Sequence, residues 1–124
     1  MPKISPRLEI TSHPLYQATM AAQHLAYQLM REVPPDHKAE ATRLHRSTVH
    51  ATTYATYALE PERPDRPAQY EGLETAAAEA LAQLTPLAHL SQDSETLRKK
   101  LEEIRETAAE GRGKEKEGKE RETA

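Results

Sequence analysis

The sequence contains no cysteine, phenylalanine or tryptophan, and its aromatic residues are five tyrosines among 124 residues. The absence of cysteine excludes disulfides and thiol nucleophiles, and it fits a reducing compartment. No run of about 18 apolar residues and no signal-peptide pattern is present, so we expect a cytoplasmic protein without a membrane partner. Three of the four glycines fall after residue 110, which leaves no glycine-rich loop to hold a phosphate.

Residue patterns of catalytic and metal centres are also missing. Neither the Glu-x-x-His pair of di-iron bundles nor a Gly-x-Ser-x-Gly elbow occurs. His45 and His50 fall on different faces of one predicted helix and the other histidines are isolated, so we expect no metal and no cofactor. We therefore predict that the protein is not an enzyme. The spacing of Arg43 and His50 is close to that of HEPN-like ribonucleases. A ribonuclease of this type is the weakest of three functional hypotheses for this chain; the two stronger ones are given below.

The predicted core is poor in large side chains. Its apolar content is mostly leucine and nineteen alanines. Alanine lets helices approach closely but removes little area from water, at about 25 cal/mol per Å² of apolar surface. A small domain of this composition is a candidate for stabilisation by oligomerisation.

Apolar residues recur at helical spacing, with no alternation typical of strands, in four segments: residues 12–32, 37–59, 68–84 and 94–110. We predict an all-α fold, an antiparallel up-and-down four-helix bundle over residues 12–110, with Gly111 ending the last helix. Residues 1–11 are expected to form an extended N-terminal arm. Residues 111–124, in which nine of fourteen residues are charged, are expected to be a disordered tail.

The second predicted helix has two opposed faces. Leu44, Thr48, Ala51, Ala55 and Ala58 recur at spacings of three and four and form a small-residue seam for helix packing. The opposite face carries arginine, histidine and tyrosine, and we call it the Arg/His/Tyr face: Arg43, Arg46, His50, Tyr54 and Tyr57. Arginine forms paired hydrogen bonds with phosphates, tyrosine stacks on bases, and both residue types are common in subunit contacts. A solvated surface, a subunit interface and a nucleic-acid contact therefore all remain possible for this face.

Charge is distributed unevenly along the chain. Residues 12–59 carry a net charge of +1 and five of the six histidines, whereas residues 60–110 carry −6. An anion-binding surface is therefore expected in the first half of the chain, as a local patch. Arg31 and Lys38 are the remaining cations of that half, and we add them to the predicted site.

The first predicted helix carries a second apolar stripe, about 140–160° around the helix from its main stripe. Two stripes predict burial on two sides, and we assign the second one to an oligomer interface; the alternative is a half-exposed surface. The predicted interface residues are Tyr16, Met20, Tyr27 and Met30.

The order of these motifs resembles a known family. A helix ends in Val33-Pro34, a second helix carries Leu44-x-Arg46 before small residues, and a third carries an aromatic-Leu-Ala pattern at Tyr70, Leu73 and Ala76. This order is similar to the "four helix bundle protein" family, first noted as products of intervening sequences in large-subunit ribosomal RNA genes. The accessory variability determinant of diversity-generating retroelements has the same fold. Where the family pattern has Asn, Glu and Gly, this chain has Tyr54, Tyr57 and Ala58.

The resemblance implies a homopentamer of bundles and, for the retroelement members, binding to RNA or DNA and to a reverse transcriptase. Our functional prediction is accordingly a non-enzymatic accessory or adaptor protein. It contacts nucleic acid, or a nucleic-acid enzyme such as a reverse transcriptase, through the Arg/His/Tyr face. The alternative is a purely structural or regulatory homo-oligomer in which this face is the subunit interface.

Overall fold

The computed structural model describes residues 6–123, with side chains described for residues 9–116 and 118. Over this range the chain forms five α-helices and two short 3-10 helices, without a strand. The prediction of an all-α protein is confirmed. The α-helices are α1 (Pro6–Ser12), α2 (Pro14–Glu32), α3 (Lys38–Ala58), α4 (Arg66–Leu84) and α5 (Ser94–Thr123), and the 3-10 helices are Pro35–His37 and Thr85–Leu90.

Local residue chemistry accounts for both ends of α2. The backbone N–H of Leu15 donates to Nδ1 of His13 at 3.1 Å, and Pro14 stands in the first turn, where no hydrogen bond is lost. At the other end Val33 adopts an extended conformation, as expected for the residue before a proline. The cap is thus His13, whereas the hydroxyl of the neighbouring Ser12 donates to the carbonyl of Glu9 within α1.

Consecutive long helices lie side by side and run antiparallel. On α3, Ser47 donates a hydrogen bond to Gln83 near the end of α4 at 2.7 Å. The last residue of α3, Ala58, accepts one from Arg66 at the start of α4 at 3.0 Å. Arg66 also forms an ion pair with Glu115, far along α5, at 3.0 Å. Helix α2 contacts both α3 and α5, so the four long helices enclose one core.

The core consists of small residues along the contacts between helices and a few larger side chains in the centre. On α3 the five residues of the predicted seam, Leu44 to Ala58, are each at most 1% exposed. Leucines and one isoleucine from α4 and α5 fill the centre, among them Leu73, Leu101 and Ile104, all fully buried. Because alanine lines the contacts between helices, the backbones approach closely and only a few large side chains fit between them.

The structure differs from the predicted helix boundaries at both ends of the chain. Residues 6–12 form α1 instead of an extended arm; residues 1–5 lie outside the described range. Helix α5 continues through Gly111 to Thr123 instead of ending there, and only residue 124 of the predicted tail lies outside the described range.

Packing against α4 explains why α5 continues. Arg112 and Glu115 form ion pairs with Glu74 and Arg66 on α4, at 3.2 and 3.0 Å. No glycine adopts a positive φ in the described range, so Gly111 is not a C-cap. A Cβ at this position would lie 2.5 Å from the buried Tyr70 ring. Glycine is therefore required for close approach of α5 to α4.

Replacing Gly111 should destabilise the fold, whereas replacing Gly113 should not. A Cβ at Gly113 meets no atom within 4 Å. Gly113→Ala should therefore gain up to about 1 kcal/mol from helix propensity. Gly111→Ala should lie about 1–3 kcal/mol below Gly113→Ala in free energy of unfolding, because its methyl group forces the Tyr70 ring to move. Urea unfolding followed by circular dichroism measures this difference. Equal midpoints for the two variants would contradict the packing of α5 on Tyr70.

Candidate functional site

Helices α2 and α3 form a pair that lacks carboxylates except at its turn. The only acidic residues between the start of α2 and the end of α3 are Glu32, Asp36 and Glu40, and all three lie at or beside the connection between the helices. Residues 14–31 and 41–58 contain none. Helices α4 and α5, by contrast, carry carboxylates throughout. We call the exposed sides of residues 14–31 and 41–58 the α2–α3 surface.

Two arginines of this surface have no partner among the described residues. Arg43 and Arg46 are exposed, and neither forms a hydrogen bond or an ion pair within residues 9–116. Four arginines of the second half are engaged in ion pairs: Arg63, Arg66, Arg98 and Arg112. An unpaired exposed guanidinium offers its full set of donors to an incoming phosphate or carboxylate. On α5, Arg105 is likewise unpaired within the described side chains, but it lies among the glutamates of that helix.

The residues of the Arg/His/Tyr face have different surroundings. His50 and Tyr54 lie in the groove between α3 and α4, together with Glu71 and Glu79. The Tyr54 ring fills the space that a side chain at Gly72 would occupy. These two members of the face are thus close to carboxylates, a setting that disfavours an anionic ligand. The sequence places all five residues on one side of a helix, but only the packing of α4 shows which acidic residues stand beside them.

Tyr57 is covered by the loop that follows α3. The guanidinium of Arg63 lies 4.2 Å from the Tyr57 ring centroid, a cation–π contact. Arg63 is itself paired with Glu60 at 3.2 Å and with Asp65 at 2.6 Å. The hydrogen bond that Arg63 donates to Asp65 holds the pKa of the Asp65 carboxyl below the usual value. Although Tyr57 is 38% exposed, one face of its ring is occupied by its own chain.

Lys38 holds the end of α2. Its Nζ donates to the carbonyl oxygens of Met30 and Arg31, at 2.8 and 2.9 Å. These carbonyls have no partner within the helix, and a cation at a helix C-terminus is also favoured by the helix dipole. The ammonium group that we assigned to the predicted site is therefore engaged within the chain, because the short connection folds Lys38 back over α2.

The second apolar stripe of α2 is only partly covered within one chain. Met20 and Tyr27 are 41% and 44% exposed. Tyr16 and Met30 are half-buried, and Met30 packs against the core. The burial on two sides that we predicted does not occur within a single chain, so this stripe remains available to a partner.

A shallow groove between α2 and α3 contains residues that the sequence analysis did not assign to a site. His24 and His45 line it together with Met20, Gln23 and Tyr27, and no carboxylate is among them. The rings of Tyr27 and His45 lie 5.6 Å apart at 55°. On the same side of α2, the Arg31 guanidinium lies 5.9 Å from the Tyr27 ring centroid. The grouping depends on the register between two helices, which the periodicity of either helix does not reveal.

The described residues and the comparisons with known proteins assign no further function to these surfaces. Among the described residues no group of three or more His, Cys, Asp or Glu side chains is arranged to hold a metal ion. No helix within that range has the length and apolar character needed to cross a membrane. Comparisons with protein-family models, with curated proteins and with solved structures each find no match for this chain. The family resemblance therefore stays a prediction.

Loss of the Lys38 ammonium should weaken the α2–α3 connection. Lys38→Ala removes the donor to two terminal carbonyls and should lower the free energy of unfolding by about 1 kcal/mol. Lys99→Ala is the matched control, because Lys99 is exposed on α5, caps no helix carbonyl within the described residues and interacts with Glu95 only through its charge. Chemical denaturation of the two variants measures the difference. A Lys38→Ala protein as stable as the control would show that this capping contact contributes nothing.

Proposed function

We propose that α2 to α5 form an up-and-down four-helix bundle that acts as a non-enzymatic accessory protein and binds nucleic acid through the α2–α3 surface. The observation that carries the proposal is the unpaired, exposed state of Arg43 and Arg46 on a pair of helices without carboxylates outside its turn. Guanidinium groups form bidentate hydrogen bonds with phosphate oxygens, and each such contact releases condensed counterions.

Charge segregation directs this binding to one side of the protein. The net charge of the whole chain is −3, and the glutamates of α4 and α5 repel a phosphate backbone. Only a few cations are available on the α2–α3 surface, namely Arg31, Arg43 and Arg46. We therefore expect modest affinity with a shallow salt dependence. The logarithm of the binding constant should fall by about 0.7 to 0.9 per tenfold rise in salt concentration for each phosphate contacted.

An accessory role follows from such a surface. A protein that contacts few phosphates gains in affinity when it also holds the enzyme acting on the same strand, because the second contact becomes intramolecular. The resemblance to the four helix bundle protein family points the same way, since it implies RNA or DNA and a reverse transcriptase as partners. A nucleic-acid enzyme is thus the second partner in this proposal.

Removing both free arginines of α3 should weaken nucleic-acid binding. The variant with Arg43→Ala and Arg46→Ala should lose affinity for a fluorescein-labelled oligonucleotide, and the salt slope should fall by about 1 for each lost phosphate contact. Fluorescence anisotropy titrations at several salt concentrations measure both quantities.

The matched control removes the same charge from the opposite side of the protein. Lys99 and Arg105 are exposed on α5 among the glutamates of that helix, so Lys99→Ala with Arg105→Ala should leave binding and salt slope unchanged. An equal loss in both double variants, or none in the α3 variant, would rule out the α2–α3 surface as the binding site.

A homo-oligomer is the second candidate, favoured by the exposure of Met20 and Tyr27 on α2. A core built mostly of alanine and leucine removes limited apolar area from water, and a second copy on this stripe would bury more. Such an assembly would be structural or regulatory, and the family resemblance implies five subunits. The Arg/His/Tyr face is the other candidate for the subunit contact.

Placing a charge in the α2 stripe should lower the native mass if this second candidate is correct. Met20→Lys places an ammonium where an apolar contact would form, whereas Gln17→Lys adds the same charge at an exposed position of α2 outside the stripe. Light scattering after size-exclusion chromatography should show a lower mass for Met20→Lys alone. A fall in mass for the Arg43 and Arg46 double variant would assign the contact to α3 instead. A monomeric wild-type protein would exclude the homo-oligomer.

A further inference from the structure

The exposed tyrosines of the protein differ in what surrounds them. Tyr27, Tyr54 and Tyr57 are 44%, 36% and 38% exposed. A tyrosine that stacks on a nucleobase needs an accessible ring face and surroundings that tolerate the adjoining phosphates. The three rings differ in whether they meet these two requirements.

Two of the three rings do not meet the requirements. One face of the Tyr57 ring is occupied by Arg63, 4.2 Å from the ring centroid, and the two carboxylates that hold Arg63 would repel a phosphate beside this ring. Tyr54 lies over Gly72 in a groove that also contains Glu71 and Glu79, so a phosphate entering there meets like charge.

Tyr27 meets both requirements. It is the most exposed of the three rings, and its groove contains the imidazoles of His24 and His45 but no carboxylate. The Arg31 guanidinium lies 5.9 Å from the Tyr27 centroid, farther than the 4.2 Å of the closed stack of Arg63 on Tyr57. The guanidinium thus lies over the ring at a longer distance than in the Arg63–Tyr57 stack, and it can reach a phosphate next to a stacked base.

We infer that Tyr27 is the base-stacking position of the α2–α3 surface and that its ligand is single-stranded nucleic acid. The inference rests on the nucleic-acid function proposed above and adds the strand state and the stacking residue. Bases of a duplex are stacked on each other inside the helix, and a tyrosine in a shallow groove between two helices reaches only a base that is already unstacked. Arg31, whose guanidinium lies 5.9 Å from the ring centroid, then contacts a phosphate next to the stacked base.

This arrangement predicts little sequence preference. Every base has a π-face, so stacking on one tyrosine tolerates all four bases, and the phosphate contacts carry no sequence information. The α2–α3 surface therefore recognises strand state and charge.

Substitutions at Tyr27 test the inference. A fluorescein-labelled single strand of about 16 nucleotides and a duplex of the same sequence are titrated with the wild-type protein and each variant. Tyr27→Ala should lower single-strand affinity about tenfold, the loss typical of one stacked base, and leave any duplex binding unchanged. Tyr27→Phe keeps the ring and should bind as the wild type does. Tyr54→Ala, at a tyrosine of similar exposure, is the control and should also bind normally.

Failure of this inference can be distinguished from failure of the proposed function. If Tyr27→Ala binds the single strand normally while the Arg43 and Arg46 double variant binds weakly, the stacking role is wrong and nucleic-acid binding stands. If neither protein differs from the wild type, both are wrong. A wild-type preference for the duplex overturns the inference. So does a Tyr27→Ala protein whose native mass falls along with its affinity, because Tyr27 would then act through a subunit contact.

Discussion

Close approach of helices through alanine and glycine is the constraint on which the rest of this structure depends. The α3 seam is almost entirely small residues, and Gly111 lets α5 pass the ring of Tyr70. Tight seams leave room for few large side chains, so most of the tyrosines lie at the surface instead of in the core. Those surface rings then become the features that a partner can recognise.

Charge segregation gives the two sides of the protein different properties. The acidic residues of α2 and α3 gather at their turn, whereas α4 and α5 carry carboxylates throughout and use them to bind their own arginines. Guanidinium groups on α3 have no such partner within the described residues. The proposed nucleic-acid contact and the proposed subunit contact both rest on these properties, since an unpaired cationic and aromatic surface suits either.

The sequence predicted the helices of the core better than the ends of the chain. Periodic apolar residues and prolines marked α2, α3 and α4 to within a few residues, because these signals are local. The composition of residues 111–124 predicts disorder, but α5 continues to Thr123, with ion pairs from this segment to Glu74 and Arg66. Such contacts join positions 38 and 49 residues apart in sequence, and composition does not encode them.

For the candidate site too, part was determined by the sequence and part only by the tertiary structure. Residue types and spacing by themselves determined that the chain is helical, that Arg43 and Arg46 lie opposite the small-residue seam, and that residues 12–59 carry a net charge of +1 against −6 for residues 60–110. Only the tertiary structure decided which neighbours each side chain has. It placed Arg63 over Tyr57, carboxylates beside Tyr54, and His45 beside Tyr27. The physical reason is that periodicity sets the direction of a side chain from its own helix, whereas the register and packing of the adjacent helix set its electrostatic surroundings.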